Sequence, residues 1–184
     1  MPKIEQSEYI VTKIDKNIEI RTYEPVILAE VSTEGNRNEA ANKAFFILVD
    51  YIKGENISNE KIAMTAPVKQ QGEKIAMTAP VNQSGENKNW KVSFTMPSKY
   101  TMETIPTPED NRIRLYQTPK EERIVIKFAG IWSDSNFTKN KIKLEKYIKD
   151  NNLKIKGDAL YAYYNSPFSI PFLRRNEVMY VLNQ

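Results

Sequence analysis

The sequence predicts an α+β fold, a pseudo-duplicated antiparallel sheet that either closes into a distorted β-barrel of about six to eight strands or curves strongly, with two flanking helices. Two observations predict it. Short segments of alternating apolar and polar residues, bounded by Pro, Gly, Asn or Asp, indicate antiparallel strands joined by short turns. Each half of the chain also contains one amphipathic helix, which is enough to cover one face of a sheet.

The order of elements repeats between the two halves of the chain. The predicted elements are strands at 8–14, 17–23 and 26–31, a helix at 38–53, strands at 90–96, 112–116 and 123–128, a helix from Ser135 or Asn136 to about Asp150, and strands at 159–164 and 177–182. Gly54 marks the end of the first helix. We therefore expect a single domain over residues 1–184, with pseudo-repeat halves at about 8–105 and 110–184.

The chain of 184 residues contains neither cysteine nor histidine. This excludes disulfides, Ser-His-Asp triads, Cys-His dyads, thiolate or imidazole metal sites and histidine-ligated haem. The net charge is +4, but basic residues are interleaved with 23 acidic ones, so nucleic acid is not an expected partner. No apolar run approaches the roughly 20 residues that cross a bilayer, and residues 1–7 lack an apolar signal segment. We therefore expect a cytoplasmic protein without a membrane span, and a monomer as the simplest state.

The nine residues Glu60–Val68 recur unchanged as Glu73–Val81. If residues 69–72 form a hairpin loop, Met64 lies directly opposite Met77, with the two thioethers side by side on one face of a sheet. Two methionines on one face cannot clamp a haem iron from opposite sides. In the alternative interpretations, the methionines fill gaps in an apolar floor, which is their commonest use, or one copy is an insertion looped out of the sheet.

Several segments are landmarks of one known family. The signature is KIAMTAPV at Lys61–Val68. The other landmarks are Ile20–Tyr23, Tyr51–Asn56, Trp90–Phe94 with Pro97, Tyr164–Pro167 and Arg174–Val178. Together they resemble the SOUL haem-binding proteins over nearly the whole chain and in the same order.

The resemblance implies a fold similar to bacterial effector-binding domains and a non-enzymatic protein that binds haem or another tetrapyrrole without a covalent bond. Family members bind haem either through an axial histidine next to the early Arg-x-Tyr strand or in an apolar pocket against the first helix. Thr22 stands at the histidine position here, which leaves the pocket. The matching surface is Phe45, Phe46 and Val49 together with the 168–172 loop.

With the methionines of the repeat included, the candidate ligand-binding residues are Phe45, Phe46, Val49, Met64, Met77, Phe168, Phe172, Arg174 and Arg175. The resemblance places the cations that hold haem propionates at Asn42, Asp50 and Ile170 here, so Lys43, Lys53, Arg174 or Arg175 would have to replace them. The alternative role of the two arginines is structural, as partners of Glu177 or of backbone carbonyls. The two adjacent phenylalanines have a structural alternative too, as packing against the sheet.

Without histidine, an iron ligand would be a tyrosine or a methionine, or there would be none. A tyrosinate needs a basic neighbour, because the ordinary pKa of tyrosine is about 10. Tyr23 follows Arg21 at a spacing of two, but it cannot serve as the ligand if strand alternation sends both side chains outward.

Three functions are compatible with these observations. The first, which we favour, is a non-enzymatic carrier or buffer of haem or another tetrapyrrole. The second is an effector-binding or scaffold module for another small planar or apolar ligand or a protein partner, with haem binding lost. The third is an enzyme acting on a tetrapyrrole, which has no support in the residues, since the paired acids Glu121-Glu122 lie in a predicted turn.

Overall fold

The computed structural model describes residues 4–58, 72–86, 88–165 and 168–183. The strands and helices among them are β1 (Tyr9–Asp15), β2 (Ile18–Tyr23), β3 (Ile27–Glu34), α1 (Arg37–Lys53), β4 (Asn56–Ile57), β5 (Val81–Glu86), β6 (Asn89–Thr95), β7 (Thr107–Pro108), β8 (Ile113–Gln117), β9 (Glu121–Phe128), α2 (Asp134–Asp150), β10 (Ile155–Tyr163), a short 3-10 helix (Pro171–Leu173) and β11 (Asn176–Leu182). Nine strands form one antiparallel sheet in the order β1-β2-β9-β11-β10-β5-β6-β3-β8, and β4 pairs with β7. This arrangement confirms the predicted α+β class with two helices.

Helix α1 ends at the predicted glycine and begins with a reciprocal cap. The Asn36 side chain accepts a hydrogen bond from the Glu39 N–H at 3.0 Å, and the Glu39 carboxylate accepts one from the Asn36 N–H at 3.2 Å. This capping box satisfies N–H groups that a helix start leaves without intrahelical partners. Gly54 ends the helix at a φ of 128°, which residues with side chains rarely adopt. Buried residues such as Ala44 and Leu48 pack the helix onto β3 and β6.

Helix α2 begins earlier than predicted. Its N-cap is Ser133, whose hydroxyl accepts a hydrogen bond from the Asn136 N–H at 3.2 Å, and not Ser135 or Asn136. The Asn136 side chain is engaged elsewhere, because its amide donates to the carbonyls of Ala129 and Ile131 at 3.2 and 3.1 Å. That side chain therefore fixes the preceding loop and leaves the cap to the serine.

Two apolar cores lie on the helix side of the sheet, one beneath each helix. The core under α1 includes Val31, Ala44, Leu48, Tyr51, Val92 and Phe94. The core under α2 includes Ile124, Ile126, Phe137, Leu144, Tyr161 and Val178. Neither helix in the described part of the chain is long and apolar enough to span a membrane.

The sheet is strongly curved but not closed, so the barrel prediction is only partly confirmed. Its edges are β1 and β8, and no ladder joins these two strands among the described residues. Curvature still brings the ends together, because the short links 24–26 and 118–120 connect strands that are far apart in the sheet order. The links also contact each other, with the Thr118 N–H donating to the Val26 carbonyl at 2.8 Å. This contact bridges the gap at one point, whereas closure would need a ladder along the whole length of the edge strands.

The second copy of the repeated segment is the one that the structure describes. The first copy, and with it the predicted pairing of Met64 with Met77, lies outside the described residues. The second copy is extended but irregular until β5 begins at Val81. Its start is fixed by the Asn56 amide, which bonds the Glu73 N–H and carbonyl, both at 2.8 Å. The copy therefore contributes only its last residue to the sheet.

The concave side of the sheet, opposite the helices, contains a buried ion-pair cluster. The Arg21 guanidinium donates two hydrogen bonds to the Glu177 carboxylate, both at 2.9 Å, and both side chains are 0% exposed. Glu19 pairs with Arg21 at 2.7 Å, and Arg175 pairs with Glu177 at 2.7 Å. Alternation does place Arg21 and Tyr23 on one side of β2, but that side is buried, so the two side chains do not point outward, and Arg21 donates to the Tyr23 hydroxyl at 2.9 Å.

Candidate ligand-binding site

A cleft of about 530 Å³ lies beside the N-terminal half of α1. Its lining residues come from α1, the second repeat copy, β5, β6, the start of α2 and the end of β10. They are Ile4, Asn38, Ala41, Asn42, Phe45, Met77, Thr78, Ala79, Val81, Gln83, Val92, Trp132, Tyr163, Tyr164 and Asn165. Most of the wall is apolar, which is typical of sites for organic ligands.

One wall of the cleft is a single face of α1. Asn38, Ala41, Asn42 and Phe45 recur at spacings of three and four, which places them on one side of a helix. The alanine leaves room between the helix and the opposite wall. The Phe45 ring is fixed by an edge-to-face contact with Phe94, at 5.6 Å between centroids. The helix therefore places the Phe45 ring, which the core holds in position, at one edge of the cleft.

The opposite rim is formed by two aromatic rings. Trp132 and Tyr163 meet edge to face at 5.3 Å between centroids. The Trp132 indole N–H donates to the Asn176 amide oxygen at 2.8 Å, which fixes the ring plane. The Arg174 guanidinium stacks on the other ring surface, 4.8 Å from the Trp132 centroid. The rim is therefore a positioned apolar surface with one cation behind it.

A polar network joins the two helix starts beneath the cleft. Tyr163 donates its hydroxyl hydrogen to the Gln83 side-chain oxygen at 3.0 Å, and the Gln83 amide donates to the Arg37 carbonyl at 2.7 Å. The buried Arg37 guanidinium donates to Tyr163 and to Asp134, the latter at 2.8 Å, and stacks over the Phe137 ring at 4.5 Å. The cleft floor is therefore held in place by groups that already have partners.

Met77 is the described cleft residue whose side chain could serve as a neutral iron donor. It is partly exposed. Its segment is anchored before it by the Ile75 N–H, which donates to the Ile52 carbonyl at 2.8 Å, and after it by the Ala79 N–H, which donates to the Glu5 carbonyl at 2.8 Å. A thioether needs no deprotonation before it binds a metal. The tyrosines are less suitable, because burial raises the pKa of Tyr163 to about 12.

The same argument applies to the other tyrosines near the site. Burial raises the pKa of Tyr164, and the neighbouring Glu177 carboxylate raises it further. Burial also raises the pKa of Tyr23, although Arg21 opposes the shift. These hydroxyls are therefore protonated at neutral pH, and tyrosinate ligation is disfavoured.

The structure brings Phe45 and Met77 to the cleft but places the other predicted phenylalanines elsewhere. Phe46 points away from the lining and is 67% exposed, although its ring touches that of Phe45. Phe168 and Phe172 are also exposed and do not line the cleft. Of the remaining predicted residues, Val49 packs against the α1 core, and Met64 lies outside the described residues.

The two predicted arginines make structural contacts. Arg174 donates through Nε to the Ser169 carbonyl at 2.9 Å, in addition to its stack on Trp132. Arg175 pairs with the buried Glu177 and donates to the Tyr9 hydroxyl at 3.0 Å. Arg174 therefore remains near the cleft rim, whereas Arg175 belongs to the ion-pair cluster of the concave side.

The paired acids of the sequence lie on a strand, and one of them forms an ordinary ion pair. Glu121 and Glu122 lie at the start of β9 and not in the predicted turn, and Glu121 pairs with Arg123 at 2.6 Å. Within the described ranges, no group of three or more acidic side chains could hold a metal ion. The cleft itself contains neutral side chains with hydrogen-bonding or apolar character, which suits binding better than proton transfer.

Sequence reasoning missed Trp132, Tyr163 and Gln83 as cleft residues. These residues are far from α1 in the sequence. Gln83 and Tyr163, which both bond to Arg37 at the start of α1, follow it by 46 and 126 residues. One local signal did exist for Trp132. It directly precedes the α2 cap Ser133, the position from which an apolar side chain packs back on the helix in a hydrophobic staple.

Solved structures share the fold at low sequence identity. A protein described as a hydrolase from Listeria innocua has a TM-score of 0.59 at 12% identity, covering 94% of each chain. The C-terminal domain of EcmrR has a TM-score of 0.57 at 8% identity, covering 91% of this chain and 97% of that one. EcmrR in complex with DNA has a TM-score of 0.62 at 11% identity, covering 91% of this chain and 57% of that one. At these identities the likeness shows the fold alone.

The sequence comparison is more specific. No protein of curated function matches the chain in sequence. The family model described as SOUL heme-binding protein, however, matches residues 4–181, which is nearly the whole chain and includes every wall of the cleft. The protein therefore belongs to the SOUL haem-binding protein family.

Proposed function

We propose that the protein binds haem or another tetrapyrrole non-covalently in the α1 cleft and acts as a non-enzymatic carrier or buffer. The observation that carries this proposal is the cleft itself. Its volume of about 530 Å³ falls within the roughly 300–1,000 Å³ of small-molecule sites. Its apolar walls and the membership of the chain in the SOUL family support a planar hydrophobic ligand over a polar one.

The residues present fit such a ligand in two respects. Ala41, Phe45 and Trp132 supply apolar surface on facing sides of the cleft. Met77 supplies a thioether, a donor that haem iron accepts in other proteins. When bound, the group itself would supply the redox-active iron, and the chain would supply burial and one neutral ligand.

An absorbance titration of the purified protein with haemin, and in parallel with iron-free protoporphyrin, tests the proposal. We expect saturable one-to-one binding of both at micromolar concentration or tighter. Ala41→Trp should weaken both affinities by roughly tenfold or more, because the indole fills the cleft. Phe46→Trp is the matched control, since it puts an indole on the exposed side of the same helix and should change neither affinity.

The titration distinguishes a cleft from adventitious haem binding. Affinities no better than those of an unrelated protein contradict the proposal. Equal binding by wild type and Ala41→Trp would place the ligand outside the cleft. A Met77→Ala variant that binds protoporphyrin normally but haemin more weakly would identify the thioether as an iron ligand.

One observation favours a second candidate, a module for a different planar apolar ligand. None of the described residues that line the cleft is a lysine or an arginine, so haem propionates would find no cation on the wall. Asn42 stands on that wall where the family places a basic residue. Tighter binding of protoporphyrin dimethyl ester than of the free acid would support this candidate, and the reverse order would support haem.

A further inference from the structure

An exposed cluster of large apolar side chains lies next to the cleft rim. We call it the apolar tip, and its members are Ile131, Phe168, Ile170, Phe172 and Leu173. Phe168 is 97% exposed, Phe172 73% and Leu173 67%, and the two isoleucines are more than half exposed. Soluble proteins rarely expose a contiguous apolar patch of this kind unless it contacts a partner or a membrane.

Backbone hydrogen bonds hold the tip in this outward conformation. The Gly130 N–H donates to the Pro171 carbonyl at 3.0 Å, which joins the loop before α2 to the loop before β11. The Leu173 N–H donates to the Ile170 carbonyl at 3.0 Å and closes the 3-10 turn. These bonds hold the 170–173 turn next to the loop before α2, which keeps Phe172 and Leu173 near Ile131.

Basic residues lie near the tip, on the side of α2, although the exposed Asp134 at the start of that helix pairs with Arg37. Arg174 immediately follows it, and the Asn136 side chain ties the start of α2 to the Ile131 carbonyl at 3.1 Å.

Lys139 and Lys143 lie on the exposed face of α2, one helical turn apart. Lys139 is about 8 Å along the helix axis from the start of α2. The whole chain has a net charge of +4.

We propose that the apolar tip and the lysines of α2 dock the protein on an anionic lipid bilayer. Exposed apolar side chains with lysines nearby suit the headgroup region, since apolar side chains reach the acyl boundary while lysines contact anionic headgroups. The lysines complement the charge of an anionic lipid surface, which is the occupant that we propose. This proposal does not depend on which ligand occupies the cleft.

The apolar tip is adjacent to the cleft in the sequence and in the structure, so docking through the tip also positions the cleft. Trp132 forms the cleft rim and directly follows Ile131 of the tip, and Asn165 lines the cleft at the beginning of the loop that contains Phe168. A docked tip therefore holds this side of the cleft near the bilayer. Planar apolar ligands, which partition into membranes, could exchange there without crossing bulk water.

Flotation of ligand-free protein with vesicles tests the proposal. We expect binding to vesicles of phosphatidylcholine with about 30% phosphatidylserine, and much weaker binding to phosphatidylcholine alone. Phe168→Ser with Phe172→Ser should weaken binding about tenfold or more. Lys139→Gln with Lys143→Gln should weaken it by roughly fivefold for each lysine. Phe46→Ser, which removes an exposed phenylalanine from α1, is the matched control and should change nothing.

Each alternative outcome overturns the proposal. Equal binding of wild type and the double-serine variant would show that the tip does not insert. Binding to phosphatidylcholine alone as strong as to the anionic vesicles would show that the lysines play no part. A concentration-dependent dimer that the serine changes abolish, with no vesicle binding, would show that a second copy covers the tip. Because no haem is present, these results are independent of the titration of the cleft.

Discussion

The sheet has two spatial halves, the α2 half with β2, β9, β11 and β10 and the α1 half with β5, β6, β3 and β8, and these halves use the same plan but fill it differently. Each has a helix of 17 residues that begins at a polar N-cap and packs on one side of the sheet. In the α2 half, Trp132 precedes the cap and Phe137 is the fourth helical residue, and both rings contact Tyr163 at 5.3 and 5.2 Å. In the α1 half, Gly35 and Ala40 hold the equivalent positions.

The cleft does not lie at these two positions. Ala40 is fully buried, and neither Gly35 nor Ala40 lines the cleft. The cleft follows another face of α1, that of Ala41 and Phe45, and the aromatic residues Trp132 and Tyr163 of the α2 half form its rim.

The two halves also differ on the concave side of the sheet. The ion pairs of Glu19, Arg21 and Glu177 lie on β2 and β11, which are both strands of the α2 half. The α2 half is the closed scaffold and the α1 half the open one.

The largest effect is expected from breaking the ion-pair cluster of the closed half. Glu177→Gln removes the charge that faces the fully buried Arg21 and leaves Arg175 and Tyr164 with a weaker acceptor. Loss of one member of a buried pair costs about 3–5 kcal/mol, and the number of donors affected places this variant toward the upper end. Urea unfolding monitored by circular dichroism measures the loss.

The control for this variant is a surface pair. Asp150→Asn breaks the exposed pair with Lys146, whose nitrogen lies 2.6 Å from the carboxylate, and should cost less than about 0.5 kcal/mol. If both variants lost the same small amount, the cluster would not stabilise the closed half.

The next effect is expected in the aromatic core of α2. Phe137→Ala removes a ring that is buried and lies 5.0 Å from Phe128 and 5.7 Å from Tyr161. We expect a loss of about 3–4 kcal/mol in the free energy of unfolding, from lost burial and the remaining cavity. Ile142→Ala, on the exposed face of the same helix, should cost less than about 0.5 kcal/mol. A loss below 1 kcal/mol for the phenylalanine variant would mean that the α2 half is not tightly packed.

The elements of both halves could be predicted because their patterns are local. The spacing of apolar residues and Gly54 locate α1, and alternation locates most strands. The start of α2 was misplaced, because several residues near Ser133 can cap a helix and a contact made by the Asn136 side chain selects among them. Whether the sheet closes depends on contacts between the links 24–26 and 118–120, which are distant in sequence. No local sequence pattern predicts such contacts.

The cleft was predicted only where it is built from local sequence. Phe45 lies on a helical stripe and Met77 in a motif, and both line the wall. Trp132, Tyr163 and Gln83 reach the cleft through strand order, which the sequence does not display. The inward direction of Arg21 was missed for a related reason, because alternation tells which residues share a side but not which side is buried.

A pH titration sharpens the same comparison. Burial acts to raise the pKa of Glu19, but hydrogen bonds from Lys127 and Arg21 outweigh burial and hold it below its ordinary value of 4.5. A carboxylate with a lowered folded pKa stabilises the protein above the unfolded value, and this stability is lost as the pH falls through the folded pKa. The free energy of unfolding should therefore fall below about pH 4.5, and less steeply in Glu19→Gln.

The matched control for pH lies in the open half. A hydrogen bond from Arg112 lowers the pKa of Asp110, but that pair is largely solvated and should contribute little. Asp110→Asn should leave the acid dependence close to that of the wild type. If this variant flattened the curve more than Glu19→Gln, the acid sensitivity would belong to the α1 half.

The smallest effects are expected at the two N-caps, and they test whether the aromatic staple or the cap fixes the helix start. Asn36→Ala breaks the 3.0 Å bond to the Glu39 N–H, and α1 has no staple, so we expect a loss of about 1–1.5 kcal/mol. Ser133→Ala breaks a longer bond of 3.2 Å while Trp132 and Phe137 still hold the start of α2, so about 0.5 kcal/mol should be lost. The reverse order in urea unfolding would mean that capping, and not the aromatic packing, fixes the start of α2.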